Sequence, residues 1–301
     1  MHDALNALLE ALACRNADLE AWLSSILGGE VRVERAVRLG ESSRETPWRL
    51  DLRSDQAEAV VLRYGDGCSA NEAVALQAME DHPLPTPRLI AWDPDGHSLG
   101  VPLFACTYIQ GDALLVPMTA GEPWAEELYI ETACTLQSIR MEELSMADDD
   151  ALEVSESAAD VLDQAYAAYE NPDSLIHAAY RKLKETQPKL PGIRFSNGDL
   201  WPENLLVCDR RLSGVIDWQH AGFSDPFFEF LLPFFLVPAL RDRGIEERYC
   251  RRMGFPVDML HWYHGLEFFD SLRWVLKTGK PYEIHTAESL REDLRQWLKR
   301  T

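Results

Sequence analysis

The stretch from residue 194 to residue 226, RFSNGDLWPENLLVCDRRLSGVIDWQHAGFSDP, constrains this chain more than any other. It contains two short apolar runs, at 205–207 and 214–216, joined by a polar turn at 208–211. Two such runs around a polar turn predict a β-hairpin. Asn204 precedes the first run and Asp217 follows the second, so the hairpin would bring these two side chains together.

The polar residues of this stretch are suited to a metal ion and a phosphate. The amide oxygen of Asn204 and the carboxylate of Asp217 are hard oxygen ligands of the kind that Mg²⁺ takes, usually shared with a substrate phosphate. Asp199 lies in a tight turn before the hairpin and remains free to face a substrate hydroxyl. One Asp at the acceptor, with an Asn and an Asp on the metal, is the arrangement of kinase-type phosphoryl transfer. Each residue alone could equally cap a turn, but their joint spacing favours a catalytic site.

Three linked motifs carry a resemblance to a known family. Residues 197–204 (NGDLWPEN) resemble the H-G-D-x-x-x-x-N catalytic loop of the aminoglycoside phosphotransferase and choline kinase superfamily. Residues 216–218 (IDW) resemble its metal-binding I-D-[WF], and residues 224–226 (SDP) resemble the G-D-P that follows. The chain departs from the pattern at Asn197, where the family has His. An Asn side chain can also donate and accept hydrogen bonds, so we do not interpret the change as inactivating.

The resemblance implies an α+β, two-lobe, protein-kinase-like fold. A small N-terminal lobe with an antiparallel sheet, residues 1–111, would bind the nucleotide and end in a hinge. A larger, mainly helical C-terminal lobe, residues 112–301, would carry the catalytic loop and the acceptor site. The residues agree with this division, because strand-like alternation dominates from residue 31 to residue 109 and helical periodicity dominates from residue 117.

The resemblance also assigns the phosphate-binding residues. Arg63 ends a predicted strand and matches the cation that holds the nucleotide phosphates, and an Arg can fork onto phosphate oxygens. Glu72, near the start of a predicted helix, would pair with Arg63, although it could instead only complement the helix dipole. Ser42 and Ser43, in the turn of the first hairpin, would offer hydroxyl and N–H groups to a phosphate, or would simply form the turn.

The remaining assignments concern the base and the reaction. The backbone C=O of Thr107 and N–H of Ile109 would contact the base of ATP or GTP in the hinge, with Cys106 behind it. Asp199 would orient the acceptor hydroxyl and take its proton, while Asn204 and Asp217 would bind Mg²⁺.

The composition limits the kinds of molecule that the protein is expected to bind. The net charge is −21 and the isoelectric point is near 4.7, which argues against nucleic-acid binding and against anionic membranes. The acidity favours a cationic substrate or merely serves solubility. No apolar run approaches the ~20 residues of a membrane helix, and the N-terminus lacks the basic region of a secretory signal. The six cysteines form no CxxC pair, which suggests a reducing, cytoplasmic location. We expect the protein to be a monomer or a homodimer.

The function expected from the sequence is Mg²⁺-dependent transfer of a γ-phosphoryl group to a hydroxyl of a small molecule, such as an aminoglycoside or an amino alcohol. Trp201 occupies the place where Ser/Thr protein kinases have a Lys, which argues against a protein substrate. Two alternatives remain open. One is a nucleotide-binding pseudokinase or regulator of the same fold, and the other is a transferase that moves AMP. The sequence leaves the acceptor and the choice of ATP or GTP undecided.

Overall fold

The N-terminal part of the chain is built on a five-stranded antiparallel sheet. The structure, a computed structural model, describes residues 2–40, 47–145 and 152–300. The strand order is β1-β2-β3-β5-β4, and every neighbouring pair is antiparallel. The strands are β1 (Arg32–Arg38), β2 (Trp48–Arg53), β3 (Ala59–Tyr64), β4 (Leu89–Asp93) and β5 (Leu103–Thr107). The last of these is shorter than the sequence suggested, because residues 99–102 form a turn region before it.

Three helices accompany this sheet: α1 (His2–Ala11), α2 (Asn16–Leu27) and α3 (Ala70–Ala78). Leu8 of α1 and Leu19 and Leu23 of α2 are fully buried with the apolar residues of β2 and β3, and Leu5 and Leu9 pack against them partly buried. Because an amphipathic helix must bury its apolar stripe, this pair covers one face of the sheet. Helix α3 begins at Ser69, whose side chain accepts a hydrogen bond from the Glu72 N–H (3.2 Å), as an N-cap residue does.

The C-terminal part is mainly helical. Its helices are α4 (Leu115–Thr119), α5 (Pro123–Leu136), α6 (Ala158–Ala167), α7 (Ser174–Glu185), α8 (Pro226–Leu236), α9 (Ile245–Met253), α10 (Met259–Thr278) and α11 (Ala287–Lys299). Among the described residues, no helix is long and apolar enough to cross a membrane.

Two small sheets lie among these helices. Their strands are β6 (Asp112–Ala113), β7 (Glu153–Val154), β8 (Arg194–Ser196), β9 (Leu205–Cys208), β10 (Arg211–Val215) and β11 (Gly222–Ser224). One sheet has the order β10-β9-β6 and the other β7-β11-β8. The very short strands β6, β7 and β11 carry no alternating pattern, so the sequence did not predict them.

The predicted hairpin is present as β9 and β10. Cys208 pairs with Arg211, and the two residues between them, Asp209 and Arg210, both have positive φ (50° and 61°). Such a two-residue turn matches the right-handed twist of the paired strands. Asn204 and Asp217 therefore flank the same end of the hairpin, as the sequence predicted.

The hairpin and its flanking loops rest on a buried aromatic core. Trp218, Phe227 and Phe230 are fully buried, and the Tyr129 ring stacks on Phe230. The Tyr129 hydroxyl donates to the carbonyls of Leu200 (3.1 Å) and Phe230 (3.3 Å). Helices α5 and α8 thus hold the loop that follows β8, because a buried hydroxyl must find a partner.

Candidate active site

The loop between β8 and β9 places Asp199 against Asn204. The Asn204 Nδ2 donates to the Asp199 carboxylate Oδ2 (2.8 Å) and to the Asp199 carbonyl (3.0 Å). The Asn204 carbonyl accepts from the Ile216 N–H (2.9 Å) at the end of β10. One side chain therefore fixes the Asp199 carboxylate, while its backbone ties that loop to the segment that carries Asp217.

The buried side chain of Asn197 holds the same loop through its backbone carbonyls. Its side chain is fully buried, and its Nδ2 lies 3.0 Å from the Asp199 carbonyl and 3.4 Å from the carbonyls of both Ile216 and Asp217. The Asn197 Oδ1 has no hydrogen-bond partner in the described part of the chain. The amide thus links the two functional loops through their backbones.

Gly198 is required by close packing. Its φ is +81°, and a Cβ on it would lie 1.8 Å from the carbonyl oxygen of His220. That carbonyl belongs to the loop that follows Asp217. The tight turn before Asp199 is therefore pressed against the second loop, and only a residue without a side chain fits there.

Asp217 combines a strained backbone with an unpartnered oxygen. Its φ is +61°, in the left-handed region that non-Gly residues adopt rarely. Its Oδ1 is buried without a hydrogen bond among the described residues and lies 3.8 Å from Arg63 Nη2. A buried carboxylate oxygen without a donor suits a cation. With the Asn204 amide nearby, the residues present fit a divalent metal ion.

The predicted pair of Arg63 and Glu72 forms between β3 and α3. The Arg63 Nε lies 3.6 Å from Glu72 Oε2, and the Trp218 N–H lies close enough to the Glu72 carboxylate to lower its pKa. Burial raises the pKa of Glu72, while Arg63 lowers it and Asp217 raises it. Within the described ranges Arg63 makes these two ion pairs but no hydrogen bond, so its N–H groups remain available to an anion.

A cavity of about 430 Å³ opens beside this pair. Its lining includes Arg63, Glu72 and Asp217 at one end and the hinge residues Cys106, Thr107, Tyr108 and Ile109 at the other. Apolar side chains from both lobes, such as Val61 and Ile216, form its walls. A cleft with apolar walls and a few polar groups is typical of a ligand site.

The segment after β5 offers this cavity a backbone N–H that has no partner among the described residues. The Ile109 N–H has no hydrogen-bond partner in the described part of the chain, whereas the Thr107 N–H donates to the Arg88 carbonyl (2.9 Å). Cys106 is buried at the back of the cavity, and burial raises the pKa of its thiol to about 12. The structure thus brings together the predicted residues except Ser42 and Ser43, which lie outside the described residues.

Glu229, on the first turn of α8, holds the catalytic loop in a way that the motifs did not indicate. Its carboxylate accepts hydrogen bonds from the hydroxyls of Ser196 and Ser224. Burial raises its pKa, while these hydrogen bonds lower it. The signal in the sequence was an acidic residue inside an otherwise apolar helix, which is unexpected unless it is hydrogen-bonded.

The environment of Asp199 favours proton uptake. Burial raises the pKa of its carboxyl, the Asn204 hydrogen bond lowers it, the Asp217 charge raises it, and His220 lowers it. A base with a raised pKa holds a proton more readily near neutral pH. The exposed His220, which the motifs did not single out, is therefore part of the electrostatics of this site.

Comparison with known proteins identifies the family to which this chain belongs. The profile of the phosphotransferase enzyme family matches residues 35–264, a range that contains every residue of the candidate site named above. The chain belongs to the phosphotransferase enzyme family. No curated protein matches the chain in sequence.

Solved structures of aminoglycoside phosphotransferases have a fold similar to that of this chain. A protein of Ralstonia eutropha JMP134, described as a candidate aminoglycoside phosphotransferase, is 13% identical with a TM-score of 0.67 over 95% of this chain and 97% of its own. A variant of aminoglycoside phosphotransferase APH(4)-Ia with ADP and hygromycin B is 16% identical with a TM-score of 0.63 over 94% and 98%. APH(2″)-IIIa with GDP and kanamycin is 16% identical with a TM-score of 0.60 over 93% and 96%. The two-lobe, kinase-like α+β fold expected from the sequence is confirmed, and the chain is a small-molecule kinase by class.

We expect Gly198→Ala to reduce turnover far more than it reduces stability. The added Cβ cannot fit against the His220 carbonyl, so the turn before Asp199 must move, and a displacement of about 1 Å can cost roughly 100-fold in rate. Steady-state kinetics and urea unfolding would measure the two effects.

Gly192→Ala is the matched control. Gly192 also has a positive φ (+79°), but nothing lies within 4 Å of its Cβ position. Both variants should lose about 1–2 kcal/mol from the left-handed backbone. Equal turnover in the two variants would contradict the packing argument.

Asp225 should make the stability of the protein fall as the pH rises from about 4 to about 6. It caps α8 through the Phe227 N–H (3.0 Å) and accepts from the Tyr263 hydroxyl (2.7 Å), but burial raises its pKa from 3.8 to about 6. The unfolded chain therefore releases this proton first, and unfolding becomes easier over that pH range. Two pKa units correspond to about 3 kcal/mol.

The measurement is urea unfolding of the wild type and Asp225→Asn between pH 4 and pH 7. Between pH 4 and pH 6 the free energy of unfolding of the wild type should fall by about 3 kcal/mol relative to that of the neutral variant. Above pH 6 the difference between the two proteins should stay constant. Parallel stability curves would show that Asp225 does not titrate in this way.

Proposed function

We propose that this enzyme transfers the γ-phosphoryl group of ATP or GTP to a hydroxyl of a small molecule, with Asp199 as the catalytic base. The raised pKa of Asp199 and its carboxylate held by Asn204 support this role. Asp199 would orient the acceptor hydroxyl and take its proton as the phosphoryl group is transferred. In this chemistry catalysis comes mainly from positioning and charge neutralisation.

Asn204 and Asp217 would hold Mg²⁺ in this proposal. When bound, Mg²⁺ supplies the positive charge that neutralises the phosphate oxygens. The chain's part is to place an amide oxygen and the unpartnered Asp217 Oδ1 at the same end of the hairpin. Arg63 would donate to the phosphates from the other side, and Glu72 would keep its guanidinium in place.

The base would occupy the hinge end of the 430 Å³ cavity. The free Ile109 N–H and the Thr107 carbonyl are our candidates for contacts with its polar edge. We also place the boundary between the two lobes here, after Gly111, because the chain leaves the large sheet at Thr107 and enters a C-terminal sheet at Asp112.

The observation that carries the proposal is the meeting of three groups at one end of the β9–β10 hairpin. They are a braced carboxylate (Asp199), an unpartnered carboxylate oxygen (Asp217) and a cation with free donors (Arg63). A site with a base, a metal-binding oxygen and a phosphate-binding cation, beside an apolar cleft, is suited to phosphoryl transfer.

A cationic acceptor fits the chain best. The net charge is −21, and two proteins of similar fold bind the aminoglycosides hygromycin B and kanamycin. An aminoglycoside or amino alcohol is therefore our first choice of acceptor. All six cysteines are unpaired, which supports our placing the enzyme in a reducing cytoplasm.

The test is release of ADP or GDP by the purified protein with Mg²⁺, across a panel of aminoglycosides, amino alcohols, sugars and macrolides. We expect acceptor-dependent release with at least one of these, reduced by about 10²–10⁴-fold in Asp199→Ala. Mass spectrometry of the product should show the gain of one phosphoryl group rather than of a nucleotide.

Asp81→Ala, which removes an exposed carboxylate from the same chain, is the matched control and should retain full activity. Mg-nucleotide binding without release for every acceptor class would favour the pseudokinase alternative. Equal activity in Asp199→Ala and the wild type would refute the assignment of the base.

A further inference from the structure

Asn71, on the first turn of α3, contacts the loop that follows Asp217. Its Nδ2 donates to the carbonyl of Gln219 (3.1 Å) and to the carbonyl of Ala221 (2.8 Å). Residue 71 is separated from these partners by about half of the chain, so the contact joins the N-terminal lobe to the C-terminal lobe. The motifs gave no indication of this role.

The neighbouring residue Glu72 contacts the same loop. The Trp218 N–H lies close enough to the Glu72 carboxylate to lower its pKa, while the Asn71 side chain makes two hydrogen bonds, to the carbonyls of Gln219 and Ala221. The two adjacent side chains of α3 thus both face the backbone of residues 218–221. Within that loop the Ala221 N–H donates to the Trp218 carbonyl (3.0 Å), which closes it into a compact turn.

The position of residues 218–221 affects two parts of the site, Asp217 and the turn before Asp199. At its start Asp217 is held with a positive φ of 61°, and a loop that moved would let this strained residue relax. In its middle His220 packs its carbonyl against Gly198, directly before Asp199. A shift of residues 218–221 would therefore displace both the metal-binding oxygen and the turn that carries the base.

We propose that Asn71 is a positioning residue for the phosphoryl-transfer site, through which α3 sets the placement of Asp217 and Asp199. This inference rests on the function proposed above and assigns Asn71 a part in it. The amide is suited to the task because its one nitrogen carries two donors, and each of them meets a carbonyl. Asn71 touches neither the nucleotide cavity nor Asp217 itself, so it acts through the loop backbone.

The test compares Asn71→Asp and Asn71→Ala with the wild type. Asn71→Asp has nearly the same shape but cannot donate, and it directs a carboxylate at two carbonyls. Asn71→Ala removes both donors without adding charge, so it remains informative if the first variant folds poorly. Two readouts apply: hydrogen–deuterium exchange of residues 216–222, and the affinity for ADP with and without Mg²⁺.

Both variants should exchange the amides of residues 216–222 at least about tenfold faster, because the hydrogen bonds that hold the loop are lost. Mg²⁺ should strengthen ADP binding less in the variants than in the wild type, while ADP affinity without Mg²⁺ stays the same. A merely structural role would instead weaken ADP binding equally in both conditions, and that result would overturn the inference.

Gln77→Asp is the matched control, since it adds the same charge to an exposed position of the same helix and should change neither readout. Asp217→Ala separates the two proposals. If Mg²⁺ strengthens ADP binding in the wild type but not in Asp217→Ala, the proposed metal role stands. If the Asn71 variants then match the wild type in exchange and in Mg²⁺ dependence, the inference about Asn71 is wrong. If Mg²⁺ has no effect on ADP binding in the wild type, both proposals fail.

Discussion

The site depends on side chains that hold the backbone of two loops, rather than on contacts between the functional groups alone. Asn197, fully buried, reaches three carbonyls across the loop before β9 and the end of β10. Glu229 accepts hydrogen bonds from Ser196 at the end of β8 and from Ser224 in β11. Because a buried polar group without a partner is costly, these side chains leave the loops few alternative conformations. Asp199 and Asp217 are consequently held in place before any ligand arrives.

Among the buried polar atoms without a hydrogen bond in the described part of the chain, two carboxylate oxygens lie beside Arg63. The Asp217 Oδ1 and the Glu72 Oε2 are buried without hydrogen bonds in the described chain, on either side of Arg63. In a core such atoms would lower stability. At the end of an apolar cleft these two carboxylate oxygens are better understood as acceptors available to a cation, while Arg63 between them can bind an anion, which is consistent with strain and unpaired polarity being concentrated at functional sites.

Much of the site could be predicted because its residues are close in sequence. Asp199, Asn204 and Asp217 lie on one hairpin and its flanking loops, so short-range pattern and turn chemistry bring them together. Arg63 and Glu72 were predicted from the motif order, and their pairing required only that α3 follow β3. By contrast, Glu229 reaches Ser196 from another element, and no spacing rule predicts such a contact between elements distant in the chain. The strands β7 and β11 were missed for the same reason, since two- and three-residue strands are defined by their partners.

In the mechanism that we propose, Asn204 and Asp217 hold a divalent cation together with the nucleotide. The most direct measurement is the electron paramagnetic resonance of Mn²⁺, in place of Mg²⁺, titrated into the wild type and Asp217→Asn with and without ADP. We predict tightly bound Mn²⁺ only when ADP is present in the wild type, and its loss in Asp217→Asn while ADP without metal still binds. Mn²⁺ bound equally by both proteins would contradict the account, because the metal would then lie elsewhere.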